Sequence, residues 1–188
     1  HRGRRLVAPA DRRIRPTSER AREALFNILA HAGTHFRLGD GDACSMLVGA
    51  RVLDAFCGTG AMGLEALSRG AAGATLIDAD AAALALARKN VATLGESQRA
   101  RVLRVDACHP GRAPDAHDIV VLDPPYGQGL AAPALAALAQ GGWLKPGALA
   151  VAELQADEEL AAPAGFALAE ERRYGRAKFV FLRWVGEG

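Results

Sequence analysis

The sequence predicts a doubly wound α/β domain, in which a mostly parallel sheet of seven strands ends in an antiparallel hairpin. Three observations support this prediction. An apolar strand runs into a glycine-rich turn at residues 51–63, strand and helix patterns then alternate up to residue 154, and the last two strand-like runs have no helix between them. Alternating strands and helices are typical of parallel sheets, whereas two strands joined by a short turn pair antiparallel.

A basic arm and a helix, at residues 1–30, precede the α/β core at residues 51–188, and we expect both to belong to one domain, 1–188. Thr17 or Ser18 offers an N-cap side chain for the helix. Apolar residues then recur with i, i+3, i+4 spacing, which indicates one buried helix face: Ala21, Ala24, Leu25, Ile28 and Leu29. The segment that follows, at 34–48, has no clear period and two Gly/Asp turns, so we expect a loop with at most a short helix.

The elements of the core follow from their local patterns. Five strands are expected at residues 51–56, 74–78, 101–105, 118–122 and 148–154, and three helices at 61–68, 80–94 and about 133–140. Gly70 and Gly95 follow the first two of these helices and are typical C-cap residues. The fourth strand is apolar enough to be buried on both faces. The final hairpin joins strands at 166–171 and 178–185 through the residues RRYGRA, an ending that resembles that of Rossmann-like methyltransferases.

Composition favours a single soluble domain. The chain has 188 residues, of which 50% are hydrophobic, enough for one full core. No apolar run reaches the roughly 18 residues of a membrane span, and no apolar signal region follows the arginine-rich start. Cys44, Cys57 and Cys108 are odd in number and lack C-x-x-C spacing, so neither a disulfide framework nor a metal site is expected. We therefore expect a soluble, intracellular protein without membrane or metal partners.

Charge is distributed unevenly along the chain. Residues 1–22 contain eight arginines against Asp11 and Glu19, a net charge of +6 in a protein whose total is +2. Such asymmetry favours a basic arm that binds a polyanion, because the rest of the chain is acidic. The alternative is a solvated, partly disordered tail.

The glycine-rich turn predicts a site for a nucleoside-containing cofactor. Gly58, Gly60 and Gly63 match G-x-G-x-x-G, and Asp78 follows at the distance expected of a ribose-binding acid. Asp54 would repel the pyrophosphate of NAD, which such loops bind through amide donors at a helix N-terminus. S-adenosylmethionine has no phosphate and carries an ammonium and a sulfonium, so the same carboxylate would attract it. Alternatively, Asp54 only caps the loop by accepting hydrogen bonds from its amides.

Two further acids stand at predicted strand ends. Asp78 ends the second strand and Asp106 the third, at the edge of an open α/β sheet where ligands bind. By spacing, Asp78 would bind the ribose hydroxyls and Asp106 the adenine amino group. A capping role is the alternative for either residue alone.

The sequence Asp123-Pro124-Pro125-Tyr126 ends the fourth strand and is the most specific motif in the chain. Two prolines fix the turn and remove two amide donors, so nearby carbonyls are available as acceptors. With the Asp123 carboxylate, these carbonyls can accept hydrogen bonds from an exocyclic NH₂ group, while Tyr126 offers a stacking face for a planar base. The motif therefore predicts methyl transfer to an aromatic amine without a metal. A plain turn with a surface tyrosine is the alternative.

Taken together, LDAFCGTGAMGLEALSRGA, LIDAD, DPPY and the amino-terminal RGRRL with RPTSERAREALFNIL resemble the bacterial family that methylates a guanine N2 of 16S ribosomal RNA. The resemblance covers nearly the whole chain and departs mainly at residues 34–49, which are longer than the usual linker. It implies a Rossmann-like catalytic core at 51–188. D-P-P-Y alone is shared with DNA adenine amino methyltransferases, and the arm narrows the substrate to ribosomal RNA.

The resemblance also implies the functional residues. S-adenosylmethionine would be bound by Asp54, Phe56, Gly58, Thr59, Gly60, Asp78, Ala79, Asp106 and Ala107. The target base would be received by Asp123, Pro124, Pro125 and Tyr126 as catalytic residues. RNA would be held by Arg2, Arg4, Arg5, Arg15, Thr17, Arg20 and Arg22, some of which could instead close over the cofactor.

We therefore expect a cytoplasmic, monomeric guanine-N2 methyltransferase whose partner is 16S ribosomal RNA or the assembling small ribosomal subunit. The alternative within the same enzyme class is adenine-N6 methylation of DNA or RNA. Outside it, the alternatives are an NAD-binding protein and an RNA-binding module with a degenerate cofactor site, against which Asp54 and the intact D-P-P-Y both argue.

Overall fold

The computed structural model describes residues 19–31 and 45–186. Several sequence predictions therefore lie outside the described residues. They are the RNA-binding roles of Arg2, Arg4, Arg5, Arg15 and Thr17, the helix cap at Thr17 or Ser18, most of the predicted loop at 34–48, and Cys44.

The four helices of the described chain are α1 (Glu19–His31), α2 (Ala61–Ser68), α3 (Ala81–Leu94) and α4 (Ala131–Gln140). The seven strands are β1 (Arg51–Ala55), β2 (Gly73–Asp78), β3 (Ala100–Arg104), β4 (His117–Leu122), β5 (Leu144–Gln155), β6 (Phe166–Tyr174) and β7 (Ala177–Trp184). Every predicted core element is present. The largest differences are that β5 begins earlier than expected and that the hairpin strands continue almost to each other.

All seven strands form one sheet in the order β3-β2-β1-β4-β5-β7-β6. The first five run parallel, with β1 between β2 and β4, and β7 pairs antiparallel with both β5 and β6. The predicted parallel core with an added hairpin is therefore confirmed. Because the returning strand β7 is the one that joins the core, β6 forms the edge.

Helices cover both faces of the sheet, as expected for a doubly wound fold. On one face α1, α2 and α3 pack over residues that include Phe179 and Phe181 of β7. On the other face α4 and Trp143 pack against β4 and β5. Strand β4 has an apolar end buried on both faces, as predicted.

The amino-terminal helix α1 is held on the first face by its apolar side and by contacts with α2. Leu25, Phe26 and Leu29 of α1 are fully buried. The guanidinium of Arg69 lies 5.7 Å from the centroid of the Phe26 ring, and its Nη1 donates to Oδ1 of Asn27 at 2.9 Å. These contacts attach the second half of α1 to the end of α2.

Local chain signals set the ends of the helices. Asp80 caps α3 by accepting a hydrogen bond from the amide of Ala82, and Gly95 ends the same helix in the left-handed conformation, at φ 74°. Gly70, with φ 100°, follows the end of α2. None of the helices in the described ranges is long and apolar enough to span a membrane.

Candidate methyl-transfer site

A cavity of about 770 Å³ lies at the carboxyl ends of the parallel strands. It is lined by the glycine-rich turn, by the D-P-P-Y motif, by the first turn of α1 and by the hairpin turn. The lining residues are Arg20, Ala21, Asp54, Phe56, Cys57, Gly58, Thr59, Ala61, Met62, Asp78, Asp80, Ala83, Asp123, Pro124, Pro125, Tyr126, Glu153, Tyr174, Gly175, Arg176 and Ala177. Five of these are carboxylates and two are arginines, so the cavity is strongly acidic.

The amides of the glycine-rich turn are engaged by two of these carboxylates. Oδ2 of Asp54 accepts a hydrogen bond from the amide of Gly63 at 2.8 Å, in the first turn of α2. Oδ2 of Asp78 accepts one from the amide of Gly58 at 2.9 Å. In a phosphate-binding loop such amides point at the ligand. Here the protein's own acids occupy two of these amides, so those two donors are not available to a phosphate.

Close packing and an unusual backbone shape the same turn. A Cβ on Gly63 would lie 2.4 Å from Cδ2 of Leu76 and 3.4 Å from Oδ2 of Asp54, so the absent side chain lets α2 approach the sheet. Phe56 has a φ of 60° although it is not a glycine. Such a conformation is strained for a bulky residue, and strained residues cluster at functional sites.

Asp54 is the most deeply buried acid of the cavity, with an exposure of 1%. Its pKa is raised well above the usual value of 3.8, first by burial and then by the charges of Asp123 and Asp78. The hydrogen bond from Gly63 opposes this shift but does not cancel it. A positive charge placed in the cavity would therefore interact favourably with Asp54 and draw its pKa down.

The D-P-P-Y motif lies beside the carboxyl end of β5. The amide of Asp123 donates to the carbonyl of Ala55 at 3.3 Å, which places the motif next to the end of β1. Leu122 pairs with Ala152, so Asp123 and Glu153 follow at the same level on neighbouring strands. Glu153 is buried, with an exposure of 2%, and its Oε1 accepts a hydrogen bond from the hydroxyl of Tyr126 at 3.0 Å.

Most of the predicted cofactor residues come together, and some do not. Asp54, Phe56, Gly58, Thr59 and Asp78 line the cavity, whereas Gly60, Ala79, Asp106 and Ala107 do not. Gly60 caps α2 instead, with a φ of 77°.

Asp106 makes local contacts outside the cavity. Its carboxylate accepts a hydrogen bond from the amide of Cys108 and contacts Nδ1 of His109, each at 2.9 Å. These contacts hold its pKa below the usual value. Its predicted contact with an adenine amino group stays a prediction.

The two predicted RNA-binding arginines that the structure describes are placed differently. Arg20 is exposed and lines the cavity, whereas Arg22 is half-buried and does not line it. The sequence reasoning missed Glu153 and the hairpin turn at 174–177. Glu153 could have been found by the rule that identified the other acids, because it stands near the carboxyl end of a parallel strand.

The described residues were also compared with the arrangements that metal binding and a reactive thiol require. Within residues 19–31 and 45–186, no group of three or more His, Cys, Asp or Glu side chains could hold a metal ion. The thiol of Cys57 lines the cavity, but burial and the charges of Asp54 and Asp78 raise its pKa far above the usual value. It therefore stays protonated and is a poor nucleophile.

Comparison with known proteins identifies relatives along nearly the whole chain. Residues 1–183 match the family described as Conserved hypothetical protein 95. The chain is 39% identical over 189 residues to Ribosomal RNA small subunit methyltransferase D of Escherichia coli strain K12, covering 100% of this chain and 88% of that protein. It is 33% identical over 178 residues to the protein of the same name from Haemophilus influenzae, covering 93% of this chain and 85% of that protein.

Solved structures agree with this assignment. The Escherichia coli protein yhhF, described provisionally as a methyltransferase, superimposes with a TM-score of 0.76 and 37% identity over 97% of this chain and 93% of that chain. An RNA methyltransferase from Salinibacter ruber in complex with S-adenosyl-L-homocysteine has a TM-score of 0.63 and 14% identity, covering 92% of this chain and 95% of that chain, and shares the fold alone. The expected Rossmann-like methyltransferase fold is confirmed, and the chain belongs to the Conserved hypothetical protein 95 family, the family of ribosomal RNA small subunit methyltransferase D.

Proposed function

We propose that this protein transfers a methyl group from S-adenosylmethionine to the exocyclic N2 of a guanine in 16S ribosomal RNA. The observation that carries the proposal is that one acidic cavity brings together the D-P-P-Y motif and a glycine-rich turn with two amides bonded to carboxylates. The names of the relatives from Escherichia coli and Haemophilus influenzae support small-subunit ribosomal RNA as the substrate.

The residues of the cavity fit this cofactor better than a dinucleotide. Asp54 and Asp78 accept hydrogen bonds from two turn amides that would otherwise be available to a pyrophosphate, and both acids line the cavity. Asp54 would interact with the positive charges of the methionine part and Asp78 with the ribose, while Phe56 and Thr59 form the wall beside them. When bound, S-adenosylmethionine supplies an electrophilic methyl group.

The acceptor side is formed by Asp123 to Tyr126. The Asp123 carboxylate and the proline carbonyls can accept hydrogen bonds from an NH₂ group and so orient its nitrogen. Tyr126 lines the cavity and presents an aromatic ring for stacking of the base. The guanine must leave its stack to enter, at a cost of a few kcal/mol. Asp123 is placed to hold the amine proton that must leave when the methyl group is received.

The setting of the reaction follows from the substrate. The partner is 16S ribosomal RNA, free or in the assembling small subunit, and the reaction takes place in the cytoplasm, where ribosomes assemble. We expect a monomer. The arginines at Arg2, Arg4, Arg5 and Arg15, together with Thr17, would extend the RNA contact from the cavity, where Arg20 already lies.

One experiment tests the substrate. The protein is incubated with labelled S-adenosylmethionine and, separately, with unmodified small subunits, free 16S RNA and DNA, and the labelled base is mapped. We expect N2-methylguanosine from one of the two ribosomal substrates. N6-methyladenosine, or labelled DNA, would favour the adenine alternative. No transfer to any substrate, together with tight RNA binding, would favour an RNA-binding module.

A second experiment tests the cofactor. Equilibrium binding of S-adenosylmethionine is compared with that of NAD under the same conditions. We expect binding of the former only, because the turn amides are already bonded to Asp54 and Asp78. Tight NAD binding would contradict the proposal.

A further inference from the structure

The turn between β6 and β7 brings a second arginine, Arg176, to the cavity. The strands leave only Gly175 and Arg176 between them, and Gly175 has a φ of 62°, a left-handed value that suits glycine in a two-residue hairpin turn. This is tighter than the six-residue connection RRYGRA expected from the sequence. The turn therefore joins two paired strands of the sheet directly.

Two further contacts fix the position of the turn. The carbonyl of Arg176 accepts a hydrogen bond from the amide of Ala156 at 3.0 Å, which ties the turn to the end of β5. The ring of Tyr174 packs against that of buried Phe179, with 5.8 Å between centroids. The backbone that carries the Arg176 side chain is held in place by these contacts. A contact made by this side chain therefore costs less conformational entropy than one made from a mobile loop.

Arg176 and Arg20 are both exposed and both line the cavity, which places them at its rim. The interior, in contrast, holds Asp54, Asp123 and Glu153, two of them almost completely buried. A nucleotide that enters this cavity must keep its phosphates away from the carboxylates. The two guanidinium groups at the rim are positions where a phosphate is attracted rather than repelled.

We infer that the β6–β7 turn is an RNA-binding element, in which Arg176 binds a backbone phosphate next to the extruded base and acts together with Arg20. This inference rests on the proposed function, since it takes RNA as the occupant of the rim. It gives the carboxyl-terminal hairpin a share in substrate binding. The sequence assigned that role only to the amino-terminal arm and helix.

The hairpin provides a matched control. Arg173 is also exposed and lies three residues earlier on β6, but it does not line the cavity. We compare Arg176→Ala with Arg173→Ala and with Arg176→Lys, which keeps the charge. For each variant, the dissociation constant for small-subunit RNA is measured across a series of KCl concentrations, and that for S-adenosylmethionine is measured alongside.

Arg176→Ala should weaken RNA binding by roughly three- to tenfold at low salt and reduce the log-log salt slope by about 0.7 to 0.9, the value for one phosphate contact. Cofactor binding and the melting temperature should not change. Arg176→Lys should restore the slope, and Arg173→Ala should behave as the wild type.

Three results would overturn the inference. The first is an unchanged salt slope in Arg176→Ala. The second is an equal loss of RNA affinity in Arg173→Ala, which would indicate a diffuse effect of charge. The third is a loss of affinity for S-adenosylmethionine in Arg176→Ala, which would place Arg176 in the cofactor site. These outcomes are separable from failure of the proposed function. RNA affinity is measured without methyl transfer, and the wild-type protein is assayed for transfer in the same experiment.

Discussion

The hydroxyl of Tyr126 donates a hydrogen bond to Oε1 of Glu153, and the two atoms lie 3.0 Å apart. Tyr126 belongs to the turn for which we propose base binding, and Glu153 is a buried residue of the neighbouring strand β5. The bond therefore links the tyrosine ring to strand β5 of the sheet. It restricts the ring to one orientation before a base arrives, which lowers the cost of binding.

Removing this bond should impair catalysis while leaving the cofactor bound. Tyr126→Phe keeps the ring and should lower kcat by roughly tenfold, which corresponds to about 1.4 kcal/mol. Tyr126→Ala also loses base stacking and should weaken RNA binding by about 1–3 kcal/mol. Steady-state kinetics and cofactor titration measure both effects. If the bond positions the ring, Glu153→Ala, which removes the acceptor, and Tyr126→Phe together should cost less than the sum of the single changes.

Asp123→Ala should lower methyl transfer by about 10²- to 10⁴-fold, because the amine loses an oriented acceptor for its hydrogens. Binding of S-adenosylmethionine should change little. Asp115→Ala serves as a control, since Asp115 precedes β4 at the opposite edge of the sheet, where it pairs with Arg51 and Arg101. Single-turnover assays on unmodified subunits provide the measurement, and near-normal transfer by Asp123→Ala would remove this residue from the mechanism.

Asp54→Asn should have opposite effects on two properties: it should raise the stability of the folded protein and weaken cofactor binding. The amide oxygen can still accept the hydrogen bond from Gly63, but the buried charge is gone. Because burial raises the pKa of Asp54, the charged form destabilises the folded protein at neutral pH. The variant should melt at a higher temperature near pH 7, and its advantage should vanish as the pH falls and the wild-type carboxyl becomes protonated.

The same substitution should abolish tight binding of S-adenosylmethionine. In the wild type, a cation next to Asp54 lowers its pKa, so binding should release protons and weaken as the pH falls. Calorimetric titrations in buffers with different ionisation enthalpies detect this release. Undiminished affinity in Asp54→Asn would assign the residue to loop capping alone, the alternative that its bond to Gly63 also permits.

His117 should make stability fall at mildly acidic pH. The buried ring lies between the carbonyl of Trp143, which Nδ1 contacts at 3.0 Å, and the hydroxyl of Thr75, which Nε2 contacts at 2.9 Å. Burial lowers its pKa from 6.5, so below that pH the unfolded chain binds more protons than the folded one. Thermal melts from pH 7 downward should show a decline of at most about 1.4 kcal/mol per pH unit from this group. The decline should be smaller in His117→Asn, and equal slopes would contradict this account.

Gly165→Ala should lower the free energy of unfolding of the protein more than Gly147→Ala. Both glycines have positive φ, at 76° and 77°, so each substitution carries a backbone cost of about 1–2 kcal/mol. At Gly165 the new Cβ would also lie 2.3 Å from the indole of Trp184, whereas nothing lies within 4 Å at Gly147. We expect an extra loss of roughly 1–3 kcal/mol in urea denaturation. Equal losses would show that the indole can move aside.

Local signals in the sequence were sufficient for most of the fold. Alternating elements and the glycine after each of these helices predicted α2 and α3 nearly to the residue. The missing last helix predicted the terminal hairpin, although its strands extend further toward each other than expected. The bounds of β5 were less accurate, because Lys145 to Gly147 break the apolar pattern within the strand. The pairing with β4 is irregular at this point, since the register passes from the pair His117 and Leu144 directly to the pair Ile119 and Leu149.

The site was predictable only where each residue signals its role locally. Asp54, Asp78 and Asp123 stand at or just after the ends of strands and were identified. The bonds of Asp54 and Asp78 to turn amides, in contrast, depend on how the turn and α2 pack on the sheet. The position of Arg176 at the cavity could not be predicted from the sequence. It depends on which strand of the hairpin pairs with β5, and in the structure that strand is β7 and not β6. That choice rests on contacts between residues far apart in the sequence.

The position of β7 between β5 and β6 has a consequence for how the protein is made. Chains grow from the amino terminus, so α1 and the five parallel strands leave the ribosome before the hairpin does. Until β7 inserts, β5 has an open edge and the cavity lacks Tyr174 to Ala177. A nascent chain would therefore already hold the glycine-rich turn but not the wall formed by Tyr174 to Ala177, and the phosphate contact that we propose for Arg176 could form only after the last strand pair.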